Sequence, residues 1–188
     1  MLKDFQYFKG NELSRSEKVQ RRFLQILLES KLPDDRRESS VIWEIKHSSG
    51  CLQIGRIVAQ KRNLNIELIE VICILHDIYV AVEGKYEDHA NKSAEVAGSI
   101  LEETKDFNPE EIKLITEAIA CHSEKHIYTD KPYVELIKDI DVFDCSLYEN
   151  AEGFYILHKP RDIYDEYVKR IKKVRKEIGL HEEEVFRK

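Results

Sequence analysis

Apolar residues return at every third or fourth position along nearly the whole chain, and no stretch of useful length alternates as a strand would. That periodicity commits the chain to an all-α fold. Cap chemistry marks where the helices begin and end. Ser14-x-x-Glu17 forms a capping box for a helix with the stripe Val19, Phe23, Ile26 and Leu27, ended by Pro33-Asp34-Asp35. Ser39 and Ser40 open a longer helix reaching about Lys61, and Asn65 caps a third that runs to Asp77. After a loop at Gly84, a helix spans about Asp88 to Thr104. Asn108-Pro109-x-Glu111 joins an N-cap, a first-turn proline and a capping box for a helix ending near His122. Pro132 starts another, from Tyr133 to Tyr148. The last, from about Arg161 to Ile178, carries Ile163, Tyr167, Ile171, Val174 and Ile178 and stops at Gly179. Residues 1–13 show no clear pattern.

A chain of 188 residues is most simply one domain with a sizeable core. The expected layout is a single-domain helical bundle over 39–148, with a helical extension over 1–38 and a C-terminal helix over 149–188 packed on the core. Net charge −6 argues against general nucleic-acid binding. The basic run Lys169, Arg170, Lys172, Lys173, Arg175 and Lys176 alternates with Ile171 and Val174 as a solvated helix face would. Cys51, Cys73, Cys121 and Cys145 lack C-x-x-C spacing and sit in apolar stretches, which fits buried free thiols in a reducing compartment. No run approaches transmembrane length, and the start Met1-Leu2-Lys3-Asp4 leads into no signal-like apolar core. The expectation is a cytoplasmic protein that does not use a membrane. Tyr148, Tyr155, Tyr164 and Tyr167 read first as core packing, with a lid or a homodimer contact as the other uses.

Polar residues on the apolar faces carry the chemistry. His76-Asp77 closes the run Val71-Ile72-Cys73-Ile74-Leu75, where neither side chain belongs unless something nearby satisfies it. His47 falls on the stripe Trp43-His47-Cys51-Ile54-Val58. His89 shares a face with Val96 and Ile100, and His122 follows Ile112, Ile115 and Ile119. Asp141 lies in the apolar arc between Ile137 and Cys145, with Asp139 outside it. His126, His158 and His181 fall in loops or at helix ends and read as surface residues. Alone, each inward histidine reads as a core residue bonded to a carbonyl, and Asp141 as half of an ion pair. Four histidines and two aspartates would then need separate partners, whereas a shared divalent cation satisfies them together. Mixed imidazole and carboxylate ligands suit Mn, Fe, Co, Ni or Zn better than Mg or Ca.

The order of these residues resembles the HD-domain metal-dependent phosphohydrolase superfamily. The segments are Lys46-His47-Ser48-Ser49-Gly50, Leu75-His76-Asp77-Ile78, His89-Ala90-Asn91-Lys92-Ser93-Ala94, Ala118-Ile119-Ala120-Cys121-His122-Ser123, and Lys138-Asp139-Ile140-Asp141-Val142-Phe143-Asp144. The resemblance covers roughly residues 40–148. It implies that His47, His76, Asp77 and Asp141 hold a metal, with His89 and His122 either binding a second ion or contacting phosphate. It also implies catalytic roles for Asp77, His89 and His122, and a phosphorylated small-molecule substrate, a nucleotide first. The lysine that often follows the His-Asp pair is absent, since Tyr79-Val80 stands there, and Lys85 or Lys92 is the substitute near in sequence. The motifs of cyclic-di-GMP phosphodiesterases are missing, and Gly50 stands where some small members have Arg. The alternative is a noncatalytic module that keeps the metal or nucleotide pocket for sensing or scaffolding.

Overall fold

The computed structural model describes residues 13–188; the reading of Met1–Asp4 falls outside them. Among the described residues there are nine α-helices and no strand. They are α1 (Arg15–Glu29), α2 (Val41–Lys61), α3 (Ile66–Leu75), α4 (Ile78–Glu83), α5 (His89–Thr104), α6 (Pro109–Cys121), α7 (Pro132–Ser146), α8 (Ala151–His158) and α9 (Arg161–Ile178). A 3-10 turn at Asp34–Arg36 links α1 to α2. Both anticipated capping boxes form: Ser14 with Glu17, and Asn108 with Glu111. Among the described residues, no helix is long and apolar enough to cross a membrane.

α3 is the centre of the bundle because it is apolar almost all round. Leu68, Ile69 and every residue from Val71 to Leu75 are buried. It packs against α1, α2 and α6, while α2 and α6 also pack on α7. Fully burying each such aliphatic side chain stabilises the fold by roughly 1.5–3 kcal/mol. α1 belongs to the same core through Val19, Phe23 and Leu27. The four cysteines are free thiols, Cys51 and Cys73 fully buried. Tyr155, Tyr164 and Tyr167 pack with one another and Phe186 in the core.

Four local expectations need correction. α3 stops at Leu75, so His76 and Asp77 lie in a turn before the short α4. Asp77 has φ −110° and ψ 21°, off the helical path, and the unbroken apolar run concealed that break. α8 is a further helix, whose exposed Phe154, Ile156 and Leu157 leave only Tyr155 buried, so no core-facing stripe announced it. Asp139 is 0% exposed, not outside the core, because α7 is covered on two faces. On the second face Asp139 meets Arg170 Nη1 at 2.6 Å, Arg62 Nη2 at 2.7 Å and Lys173 Nζ at 2.7 Å. Arg170 and Arg175 of the basic run are therefore buried too, and the solvated reading holds for Lys169 and Lys176.

Candidate metal centre

Five separate segments bring the inward polar residues to one place. His47 comes from the middle of α2, His76 and Asp77 from the turn between α3 and α4, and His89 from the first turn of α5. His122 is the C-cap of α6, and Asp141 lies on α7. His47 Nε2 is 3.1 Å from His76 Nε2, 3.4 Å from Asp141 Oδ1 and 3.9 Å from Asp77 Oδ2. Asp77 reaches both ways. Its Oδ2 is 3.3 Å from His76 Nε2, and its Oδ1 is 3.3 Å from His122 Nε2 and 3.6 Å from His89 Nε2.

The other ring nitrogen of every histidine is already committed. His76 Nδ1 donates to the Cys73 carbonyl at 2.9 Å, His89 Nδ1 to Tyr86 at 2.8 Å and His122 Nδ1 to Ile119 at 2.7 Å. His47 Nδ1 donates to Asp144 Oδ2 at 2.7 Å. These outer bonds fix the tautomers so that four Nε2 atoms face one another and two carboxylates, as oxygens accepting from the far ring nitrogen do for metal-ligating histidines. Among the described residues, Asp77 Oδ1 is buried without a hydrogen-bond partner. An orphaned carboxylate oxygen among converging lone pairs is costly by itself and is what a cation relieves. Ligands about 2.0–2.2 Å from an ion are themselves about 3 Å apart when adjacent, as these are. The residues fit a divalent cation.

The electrostatics agree. Burial raises the Asp77 carboxyl, yet His76, His122 and His89 outweigh it and hold it well below the carboxylate range. Burial lowers His76 to about 4, so its Nε2 keeps a lone pair at neutral pH. Burial also lowers His89. His47 runs the other way: burial disfavours its charge, but the neighbouring thiols and carboxylates of Asp141 and Asp144 push it well above its ordinary value. Burial pushes the Cys51 thiol up, and its Sγ lies 3.8 Å from His47 Nε2, close enough to His47 and His76 to approach the same cation.

Neither lysine suggested by the sequence joins this cluster. Lys85 is exposed, and Lys92 Nζ donates to the Glu87 carbonyl and sits 4.9 Å over the Tyr79 ring. Three residues that the sequence reading did not single out do join it. Asp144 aims His47, as just described. Glu44, one turn before His47 and buried, is bonded by Ser39; burial and then the charge of Asp77 push it up to about 7. Its spacing from His47 was a usable signal. Lys125, in the loop after α6, pairs its ammonium with Asp141 Oδ2. Lying outside a helix, it had no periodicity to reveal it.

Gly50 has a structural reason. A Cβ there would stand 2.0 Å from Asp144 Oδ1 and 2.8 Å from its Cγ. The helix must lack a side chain where the carboxylate approaches His47. Gly50→Ala is expected to displace Asp144 and cut metal affinity roughly 10–100-fold, as losing the carboxylate that orients a ligating histidine does. Metal titration of the variant checks this, with circular dichroism to show that the helices persist.

The family model for the HD domain matches residues 45–146, just over half of the chain, and the matched span contains His47, His76, Asp77, His89, His122 and Asp141. No curated protein and no solved structure matches the chain.

Proposed function

The chain belongs to the HD-domain family, and from that premise we propose that it is a metal-dependent phosphohydrolase cleaving a phosphoester or phosphoanhydride, of a nucleotide first. The observation that carries this reading is Asp77 Oδ1, buried and unpartnered among imidazole Nε2 atoms. On this reading His47, His76, Asp77 and Asp141 hold one divalent cation, and His89 and His122 join Asp77 in holding a second. The tautomers favour a second ion over a phosphate contact. With Nδ1 of His89 and His122 donating to carbonyls, their Nε2 atoms offer lone pairs, which suit a cation and repel a phosphate oxygen.

A bound dication lowers the pKa of water from 15.7 towards roughly 7 and neutralises charge on a phosphoryl oxygen. The chain's part is to place that chemistry. Asp77 spans the two halves of the cluster, one oxygen to each. Asp144 and the backbone carbonyls hold the four rings in orientation. His89 is the most open of the four imidazoles, with a side chain 20% exposed, and marks the side from which substrate arrives. The domain layout proposed is a catalytic core over 39–148, with 1–38 and 149–188 supporting it.

Elemental analysis of the purified protein, followed by phosphate release from a nucleotide panel with Mn, Fe, Co, Ni, Zn and Mg supplied separately, tests the proposal. Turnover with a transition metal is expected. Tight nucleotide binding without turnover under every metal would instead support the sensing or scaffolding module.

A pH dependence follows from His47. Its pKa is raised in the metal-free protein, so binding a cation must displace a proton from it. Metal affinity is therefore expected to strengthen as pH rises above 6.5, levelling once His47 loses its proton. Calorimetric titration in buffers of different ionisation enthalpy checks the proton release; an affinity flat from pH 6 to 9 would contradict it.

A further inference from the structure

We infer that Lys125 supplies the ammonium that takes the substrate's phosphate group, an assignment that rests on the phosphohydrolase reading. Its side chain is only 8% exposed, and Nζ pairs with Asp141 Oδ2. An ammonium has three N–H donors. Among the described residues, Asp141 is the one acceptor that Nζ meets, so the protein itself engages one of the three donors of this buried cation. That is costly unless a further anion comes to the others.

The fold holds Lys125 there deliberately. Arg170 Nε donates to the Lys125 carbonyl at 2.6 Å. Two residues on, the Ile127 carbonyl accepts from Lys138 Nζ at 2.9 Å and from Arg170 Nη2 at 3.3 Å. A loop closed only by short turn bonds, such as Ile127 N–H to the Glu124 carbonyl, is thus pinned by two cationic side chains, from α7 and α9. Both of those cations face carbonyls or the carboxylates of Asp139 and Glu135. Lys125 alone is turned to the metal-ligand cluster.

Its position gives the role. Asp141 places Oδ1 3.4 Å from His47 Nε2 and Oδ2 on Lys125. The ammonium therefore stands one carboxylate's width from the ligand set. A phosphate oxyanion can bridge the two as Asp141 already does, and lysine serves such groups as a point charge.

The test is inorganic phosphate binding, measured calorimetrically with Zn²⁺ supplied, for the intact protein and for Lys125→Gln, Lys125→Met and Lys125→Arg. The Gln and Met variants are expected to keep wild-type metal content and lose phosphate affinity by about tenfold or more, the scale of a lost charged hydrogen bond. Arg is expected to restore most of it. Unchanged phosphate affinity overturns the inference. So does a loss of metal with the phosphate, which makes Lys125 a positioning partner of Asp141. Should the variants fail to fold, the ammonium ¹⁵N resonance of Lys125 in the intact protein reads the same contact; no shift on adding phosphate overturns it. Turnover by the intact protein together with unchanged phosphate affinity in Lys125→Gln rejects the Lys125 role alone. Phosphate held through Lys125 with no ester ever hydrolysed rejects the hydrolase reading alone.

Discussion

Asp77→Asn is expected to lower phosphate-ester hydrolysis by roughly a thousandfold or more, about 4 kcal/mol of transition-state stabilisation, while leaving the helical spectrum unchanged. Asp77 is the one carboxylate whose two oxygens face both halves of the cluster, Oδ2 towards His76 and Oδ1 towards His122 and His89. An amide keeps the shape and loses the charge that would hold a cation at either half. The metal-free variant is expected to be somewhat less stable than the parent, because His76, His122 and His89 outweigh burial and favour the Asp77 charge in the fold. Thermal melts with and without metal separate the two effects: the metal-free midpoint falls modestly in the variant, and the stabilisation by added metal shrinks as well. Full activity in Asp77→Asn ends the mechanism.

Arg170→Met is expected to cost about 3–5 kcal/mol of stability, the range for removing one partner of a buried pair. Arg170 is 1% exposed and uses its guanidinium four ways. Nη1 meets Asp139 at 2.6 Å and Glu135 at 2.9 Å, Nε meets the Lys125 carbonyl, and Nη2 meets Ile127. Arg62 and Lys173 still face Asp139 in the variant, so the cost belongs at the lower end of that range. Lysine cannot rescue it, since a point charge does not reproduce a planar fork. Urea unfolding of the metal-free protein measures the loss. The same variant frees the loop that carries Lys125, so phosphate binding should weaken while metal content holds. A loss below about 1 kcal/mol would show that Asp139 and the two carbonyls are satisfied without Arg170.

The histidines and aspartates were legible for a definable reason. Each sits on an apolar helical stripe, where a polar side chain contradicts its neighbours, and the contradiction is local. His47, His76, His122 and Asp141 could be found that way. Asp139 could not be judged correctly, because whether a helix is covered on one face or two depends on what packs against it, here α9 as well as α2. The break at His76-Asp77 was hidden by apolar residues on both sides.

The amino-acid order determined the all-α class, most helix ends and the inward set of imidazoles and carboxylates, since period and capping act over three or four residues. Tertiary structure decided which of their atoms meet. The 3.1 Å approach of His47 to His76, the Asp144 carboxylate in the gap left by Gly50 and the ammonium of Lys125 on Asp141 all join distant segments. Those contacts are set by how the helices cross and where the loop between α6 and α7 is tied, and no short-range pattern encodes either.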